Sequence, residues 1–359
     1  MSATVVVIGG GYGGTAAAKA LDDKADVVLV EPRDAFVHNV GALRAIVKPD
    51  WMPNIFIPYD GLLAKGRVVR DRAVSVEPHQ VTLASGEKLK ADYVVLATGS
   101  TYPFPAKTNM DDSAAAQDKY RTAHGELAAA KRVLLLGAGP VGLEFAGEIK
   151  AEWPDKQVVI VDPVADILAD FAQELREEIR SQLATLDVQL VLGSALTHEP
   201  ETPIGVQGDI TATTQAGTTV EADIWFRCYG VNPVTDYLAG SLAAAREANG
   251  QIKVTDTLQV EGHDTVFAIG DITTVPEAKR AGSAMRHGDV VAENIAALIA
   301  GEDKRSTYEV GEPLILLPLG PSAGASQLPG MGVVGAEVTS QYKGADLMLG
   351  RFNELLGQV

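Results

Sequence analysis

The sequence is poor in cysteine: among its 359 residues it contains one, Cys228. A single thiol cannot form a disulfide within one chain, which excludes a CxxC redox pair, a disulfide-stapled fold and a cysteine-rich metal site. We therefore predict no metal centre and no internal disulfide that could accept electrons. Within the segment IWFRCYG, Cys228 is expected to be a small buried strand residue rather than a reactive thiol.

Positive charge is also scarce. The 30 Lys and Arg residues face 47 Asp and Glu, which gives a formal net charge of −17 at pH 7. Such a surface repels nucleic acid, and no cluster of basic residues offsets it, so we expect no nucleic-acid partner.

Long apolar runs are missing as well. None approaches the ~20 residues that a membrane-spanning helix needs, and no charged segment precedes the first apolar run as in a secretory signal. Ser2 stands where an N-myristoyl anchor needs glycine. We expect a cytoplasmic protein.

Two glycine-rich segments dominate what is present, VVVIGGGYGG and VLLLGAGPVG, each at the end of an apolar run. A second apolar run follows each of them, VVLVE and VVIVD, and ends in an acid. The glycines and the acid of the two segments are, in turn, Gly9, Gly11, Gly14 and Glu31, and Gly137, Gly139, Gly142 and Asp162.

This pattern has a physical meaning at a strand–helix turn. The first glycine permits the turn, the second lets a pyrophosphate approach the backbone, and the third lets the helix pack on the strand. The helix N-terminus binds the phosphates, and the acid accepts hydrogen bonds from a ribose. Glycine loops without a ligand are the alternative. Two complete copies predict a protein that binds two dinucleotides and passes electrons between them.

The order of elements predicts an α/β fold: two Rossmann-like dinucleotide-binding domains, one inserted in the other, with a small α+β C-terminal domain. The boundaries follow the motifs. Residues 1–103 and 231–305 are predicted to form the first domain, 104–230 the inserted one, and 306–359 the C-terminal module. Within them, 67–99 is predicted to be a meander of three strands, 51–58 irregular, and 169–186 an amphipathic helix.

Two further strand ends carry candidate site residues. YVVLATGS places Thr98 and Gly99 after a strand, where glycine lets the backbone approach the first dinucleotide. VFAIGDI places Gly270 and Asp271 after another, with the carboxylate able to accept a hydrogen bond from a sugar hydroxyl. For both, an ordinary tight turn is the alternative.

The end of the chain has an apolar helical face. Its residues recur at helical spacing and are Met348, Phe352, Leu355, Leu356 and Val359. The face could contact a membrane or line a quinone pocket. Packing against the body of the protein or against a second subunit, as in a homodimer, is the alternative.

Four segments resemble a known family: DAFVHNVGALRA (34–45), LATGSTYPFPAK (96–107), GAGPVGLEFAGEIKAEWPDK (137–156) and LQVEGHDTVFAIGD (258–271). The chain resembles the pyridine nucleotide oxidoreductase superfamily of flavoproteins. Within it the resemblance is to the apoptosis-inducing-factor-like branch, which includes the ferroptosis suppressor NAD(P)H:quinone reductases. It covers nearly the whole chain.

The resemblance implies FAD in the first site and NADH in the second. The positions that match the family's flavin contacts are Gly9, Gly10, Gly11, Tyr12, Gly13, Arg44, Val68 and Asp271. It also implies catalytic roles for Lys107, near the flavin, and for Glu144, near the nicotinamide. Considered alone, Lys107 could be a solvated loop lysine and Glu144 a helix acid that complements the dipole.

Besides Ser2 at the myristoylation position, the chain departs from the family in two places. The usual ATG or CTG is Cys228-Tyr229-Gly230 here, so only Gly230 carries over. The module 306–359 matches weakly, although in the family it helps to form the quinone site.

Together these features predict an FAD-dependent NADH:acceptor oxidoreductase, with a quinone as the expected acceptor. Asp162 favours NADH over NADPH because its carboxylate repels a 2′-phosphate. The alternatives are a ferredoxin or rubredoxin reductase, a tailoring oxidoreductase acting on a specialised small molecule, and a slow NADH-binding redox sensor.

Overall fold

The computed structural model describes residues 3–358, so Ser2 and Val359 lie outside the described part. Its strands are β1 (Thr4–Ile8), β2 (Asp26–Val30), β3 (Ala35–Val37), β4 (Phe56–Pro58), β5 (Arg67–Val69), β6 (Ala73–Glu77), β7 (Gln80–Leu83), β8 (Lys88–Lys90), β9 (Tyr93–Leu96), β10 (Ser100–Thr101), β11 (Arg132–Leu136), β12 (Gln157–Asp162), β13 (Val188–Leu192), β14 (Ile210–Thr213), β15 (Thr219–Ala222), β16 (Ile224–Arg227), β17 (Asn232–Pro233), β18 (Val266–Ala268), β19 (Ile315–Pro318), β20 (Gly324–Leu328) and β21 (Gly332–Val334).

The helices are α1 (Tyr12–Leu21), α2 (Ala42–Val47), α3 (Ser113–Ala129), α4 (Pro140–Glu152), α5 (Gln173–Thr185), α6 (Ala281–Ala300), α7 (Ala336–Thr339) and α8 (Leu349–Leu355). Short 3-10 turns cover Asn39–Gly41, Pro49–Ile55, Gly240–Ala245 and Gly270–Ile272.

The first sheet is parallel, with strand order β18-β9-β1-β2-β5. Its central strands are continuous apolar runs because both faces are covered. Alternate side chains of β1 enter two cores: Val5 and Val7 pack with α1 and α6, whereas Val6 and Ile8 pack with the antiparallel sheet β6-β7-β8.

The second sheet is also parallel, with order β13-β12-β11-β16. One face packs on α4 and α5, and the other is covered by the hairpin β14–β15. The chain then returns to the first sheet through β18. The predicted fold class, with one Rossmann-like unit inserted in another, is therefore confirmed.

Two predictions about local structure were wrong, and one strand was missed. Residues 67–99 form five strands rather than three: β5 joins the parallel sheet beside β2, β6 to β8 form their own sheet, and β9 returns to β1. Residues 51–58, predicted to be irregular, end in β4, which pairs with β3. The strand β15 was not predicted. Each is a strand of three to five residues stabilised by pairing with another strand, which the periodicity of so short a segment does not reveal.

The C-terminal residues form a small antiparallel sheet, β19-β20-β21, followed by short helices. Phe352 and Leu356 of the predicted apolar face are buried in the core that β1 forms with α1 and α6. There Phe352 lies against Tyr12 and Phe36. Packing against the body is thus the alternative observed for these two residues, and a membrane contact through the rest of this face stays a prediction. No helix in residues 3–358 is long and apolar enough to cross a bilayer.

His38 joins the C-terminal segment to the first domain. Its ring is fully buried, its Nε2 lies 2.8 Å from the Leu347 carbonyl oxygen, and its Nδ1 lies 3.2 Å from the Tyr12 hydroxyl. Burial lowers the pKa of His38 from 6.5 to about 4. Between pH 4 and pH 6.5, His38 is therefore protonated in the unfolded chain but neutral in the folded protein.

We expect this residue to make the fold acid-sensitive. Its contribution is fully present above pH 6.5 and is lost as the pH falls towards 4, so the free energy of unfolding decreases by about 2 kcal/mol between pH 7 and pH 5. Urea unfolding at both pH values measures the decrease. His38→Gln should remove most of it, and exposed His198→Gln should not. An unchanged pH dependence in His38→Gln would contradict the assignment.

Candidate functional site

The first glycine-rich turn lies between β1 and α1, and a side chain would clash with backbone atoms at three of its positions. Gly9 has φ +103°, and a Cβ there would lie 2.5 Å from the Ala97 carbonyl oxygen. A Cβ on Gly14 would overlap the carbonyl oxygen of Gly9. Gly13 lies under α6, where a Cβ would be 2.8 Å from the Ala284 carbonyl oxygen. These contacts are what the close strand–helix packing requires.

The second turn, between β11 and α4, repeats this geometry. Gly137 has φ +114°, and a Cβ on it would lie 2.9 Å from the Cys228 carbonyl oxygen. A Cβ on Gly142 would overlap the carbonyl oxygen of Gly137. The two predicted fingerprints are therefore folded in the same way.

The middle glycine of each turn faces open space instead. A Cβ on Gly11 or on Gly139 would meet no atom within 4 Å. These glycines precede α1 and α4, and no side chain caps either helix. Each turn thus forms a cradle of free backbone N–H groups of the kind that binds a pyrophosphate. The residues present fit two dinucleotides.

The acid of each fingerprint reaches back to its own turn. Glu31 accepts a 2.6 Å hydrogen bond from the Gly10 N–H, and Asp162 accepts one of the same length from Ala138. A second backbone N–H, from Arg33 or Val164, binds the other oxygen of each carboxylate. These bonds hold each carboxylate beside its cradle, where it can accept a hydrogen bond from a ribose hydroxyl.

Lys107 and Asp271, distant in sequence, lie together. The Lys107 ammonium is 3.3 Å from Asp271 Oδ2 and donates to the Ser100 carbonyl and hydroxyl oxygens at 3.0 and 2.9 Å. The Ser100 hydroxyl also donates to Asp271 at 2.5 Å. We call these three residues the lysine cluster. Ser100, which completes it, was not predicted.

Thr98 and Gly99 lead into the lysine cluster. The Thr98 hydroxyl donates to the Val234 carbonyl oxygen at 2.6 Å, and Gly99 has φ +64°. This bond holds the crossover, the segment around Val234 in which the chain leaves the inserted unit, against the end of β9. Gly230, with φ +105°, lies on the same crossover and faces Pro103.

The remaining predicted flavin contacts face the protein. The Tyr12 hydroxyl accepts the Val40 N–H at 3.0 Å, so its side chain lies between α1 and α8. Val68 is half-buried in β5 and pairs with Leu29 of β2.

Arg44 is buried with a guanidinium that makes four hydrogen bonds, two to Glu148 and one each to the carbonyl oxygens of residues 344 and 345. The structure thus places the Arg44 side chain in a charge pair with α4.

Glu144 has a charged partner that sequence reasoning missed. The Lys343 ammonium donates to Glu144 Oε1 at 2.7 Å and to the Leu316 carbonyl oxygen at 3.2 Å. Burial raises the pKa of Glu144, although the Lys343 charge opposes the change. The pair joins α4 to the C-terminal module. No signal around Lys343 in the sequence marks it, because its partner is 199 residues away.

Cys228 is buried at the end of β16, and burial raises its pKa to about 12. The thiol is therefore protonated at neutral pH and unsuited to redox chemistry. Because the sequence has no second cysteine, no cysteine pair can form within the chain at this site.

Comparison with known proteins gives the family. Residues 3–288 match the family described as pyridine nucleotide-disulphide oxidoreductase. The chain is 34% identical to ferroptosis suppressor protein 1 of Taeniopygia guttata, over 99% of this chain and 96% of that one. It is 29% identical to apoptosis-inducing factor homolog B of Dictyostelium discoideum, over 97% and 95%. The fold is similar to that of the sulfide:quinone oxidoreductase of Aquifex aeolicus, with a TM-score of 0.78, 17% identity and coverage of 99% and 92%.

Two folded fingerprints, two open cradles and these matches lead to one conclusion. The chain belongs to the pyridine nucleotide-disulphide oxidoreductase family, in the branch of ferroptosis suppressor and apoptosis-inducing-factor homologues, and is a flavoprotein oxidoreductase that uses FAD and NAD(P)H.

Proposed function

We propose that the protein is an NADH:quinone oxidoreductase, with FAD bound at the first fingerprint and NADH at the second. The observation that carries the proposal is the pair of open helix N-termini, each with its own acid, in a chain without a second cysteine. Such a chain can accept a hydride but has no internal disulfide to pass electrons to. The acceptor must then lie outside the chain, and a quinone is the acceptor named for the similar Aquifex aeolicus protein. The limits 1–103 with 231–305, 104–230 and 306–359 are our proposed domains.

The chain's residues divide the task. The N-termini of α1 and α4 would bind the two pyrophosphates, while Glu31 and Asp162 would each hold a ribose. When bound, FAD supplies the chemistry of accepting a hydride from a reduced nicotinamide and releasing two electrons to an acceptor. Lys107 would hold a proton at Nζ beside Asp271, and Glu144 would contribute a carboxylate at the start of α4, next to Lys343.

Asp162 supports NADH as the preferred nucleotide. Its carboxylate would face the ribose 2′ position, where a phosphate would be repelled at a cost of several kcal/mol. The two arginines of α5, Arg176 and Arg180, both pair with Asp166 in the loop after β12. Their charge is thereby partly neutralised in the folded protein.

An anaerobic absorbance experiment tests the function. NADH should bleach the flavin of the purified protein, and a short-chain ubiquinone or menaquinone analogue should restore it rapidly. Bleaching without recovery would indicate a different acceptor, either a protein such as a ferredoxin or a small molecule other than a quinone. Slow turnover with every acceptor would favour a redox sensor. Equal kcat/KM for NADH and NADPH would contradict the role of Asp162.

The middle glycines allow the two cofactor sites to be tested separately. Gly139→Ala should raise the KM for NADH at least tenfold without loss of FAD, because the methyl group fills the cradle and each hydrogen bond to a charged group contributes about 1.5–3 kcal/mol. Gly11→Ala should instead lower the FAD content of the purified protein.

The control for both is Gly125→Ala on α3, which also faces open space and lies in neither fingerprint. An unchanged KM for NADH in Gly139→Ala would mean that the second cradle does not bind the nucleotide.

A further inference from the structure

A buried histidine lies behind the Gly270–Asp271 turn. His287 is on the first turns of α6 and is 1% exposed. Its Nδ1 accepts the backbone N–H of Gly270 at 3.0 Å, and its Nε2 lies 2.8 Å from Glu277 Oε1. Nothing in the proposed function uses this residue.

The hydrogen bonds determine which ring nitrogen carries the proton. Because Nδ1 accepts from a backbone N–H, the proton must be on Nε2, from which it is donated to the Glu277 carboxylate. The ring therefore cannot rotate or change tautomer without leaving the Gly270 N–H unpaired in a buried site, which costs about 1–3 kcal/mol.

Glu277 is itself held by Tyr308 of the C-terminal module and by Ser283 of α6. The Tyr308 hydroxyl lies 2.9 and 3.0 Å from the two Glu277 oxygens, and the Ser283 hydroxyl donates at 3.1 Å. The Tyr308 ring also packs edge-on against the His287 ring, with centroids 4.2 Å apart. A continuous set of contacts thus runs from Tyr308 through Glu277 and His287 to Gly270.

The turn held in this way carries the carboxylate of the lysine cluster. Gly270 has φ +72°, and its α-carbon packs under α6, where a Cβ would be 3.1 Å from that of Ala284. Ser100 and Lys107 bind the Asp271 carboxylate from the side, whereas His287 binds the backbone of the turn from behind. The position of the Asp271 carboxylate therefore depends on both sets of contacts.

We propose that His287 is a positioning residue for the FAD site: it holds the Gly270–Asp271 turn through the Gly270 N–H, and Glu277 and Tyr308 fix its ring for this purpose. The proposal rests on the proposed function in placing Asp271 against the flavin. According to this proposal, contacts that begin at Tyr308 in the C-terminal module and end at the lysine cluster help to position the cofactor.

Substitution of the ring separates positioning from folding. His287→Leu removes the acceptor for Gly270, whereas His287→Asn can present its Oδ1 near the position of Nδ1. In FAD titrations of the flavin-free protein, followed by flavin fluorescence, His287→Leu should raise the Kd at least tenfold and shift the midpoint potential of the bound flavin. His287→Asn should restore the Kd to within about threefold of wild type, and the control His124→Leu, on α3, should leave both quantities unchanged.

A double-mutant cycle tests the proposal even if His287→Leu does not fold. Tyr308→Phe keeps the ring contact and removes only the hydroxyl, so it should raise the Kd for FAD about threefold in the wild-type background. In the His287→Asn background, where the link to Glu277 is broken, the same change should have no effect. Equal effects of Tyr308→Phe in both backgrounds would overturn the proposal.

The outcomes also distinguish this proposal from the proposed function. A His287→Leu protein that unfolds more easily but binds FAD with unchanged Kd and potential would show a purely structural histidine. If that result accompanies normal NADH:quinone turnover in the wild type, the proposed function stands and only this inference fails. A wild-type protein that takes up FAD but reduces no quinone would contradict the proposed function alone.

Discussion

Arg44→Met is expected to lower the free energy of unfolding by about 3–5 kcal/mol, because it leaves the Glu148 carboxylate buried without its partner. The two side chains are 3% and 4% exposed and are joined by hydrogen bonds of 2.7 and 3.0 Å. The carbonyl oxygens of Gly344 and Ala345 would also lose a donor. Urea unfolding of the protein at a fixed saturating FAD concentration measures the loss.

Two variants calibrate this result. Arg44→Met combined with Glu148→Leu removes both charges and should recover much of the stability, since a buried pair is often replaceable by apolar residues. Arg121→Met breaks the exposed pair with Asp118 and should cost less than about 1 kcal/mol.

The same variant tests the role that the sequence resemblance implied for Arg44. A stable Arg44→Met protein with greatly weakened FAD binding would contradict the structural assignment and support a direct flavin contact. A destabilised protein whose remaining folded fraction binds FAD normally would support the charge pair with α4.

Lys107→Met is expected to slow the transfer of electrons to a quinone by about 100-fold, the usual size of a lost proton donor. Methionine keeps the length of the side chain but carries no proton and no charge for Asp271. Stopped-flow absorbance separates the two half-reactions: reduction by NADH should change little, and reoxidation by quinone should become slow.

Ser100→Ala is the matched control for the lysine cluster. It removes the hydroxyl that binds both Lys107 and Asp271 but keeps the ammonium group, so reoxidation should slow only a few-fold. Full quinone turnover in Lys107→Met would remove the residue from the mechanism. Equal slowing of both half-reactions would show that Lys107 positions the cofactor instead of supplying a proton.

Much of the fold could be predicted because its signals are local. A buried strand, a glycine turn, a helix and an acid about 20 residues later are encoded within one segment, and both copies fold as predicted, with Glu31 and Asp162 bound to their own turns. The errors fall on short strands such as β4 and β15. These are stabilised by pairing with β3 and β14 rather than by their own sequence.

Only part of the candidate site could be predicted from local sequence signals. Sequence alone determined the α/β class and the positions of the two glycine turns proposed to bind dinucleotides, since glycine and helix N-termini act within one turn. Tertiary structure alone decided the charge partners: Lys107 with Asp271, Arg44 with Glu148, and Glu144 with Lys343, separated by 164, 104 and 199 residues. The partner of a charged side chain depends on which distant elements pack together around the hydrophobic core and on how deeply that side chain is buried. The spacing of residues along the chain predicts neither the packing nor the burial.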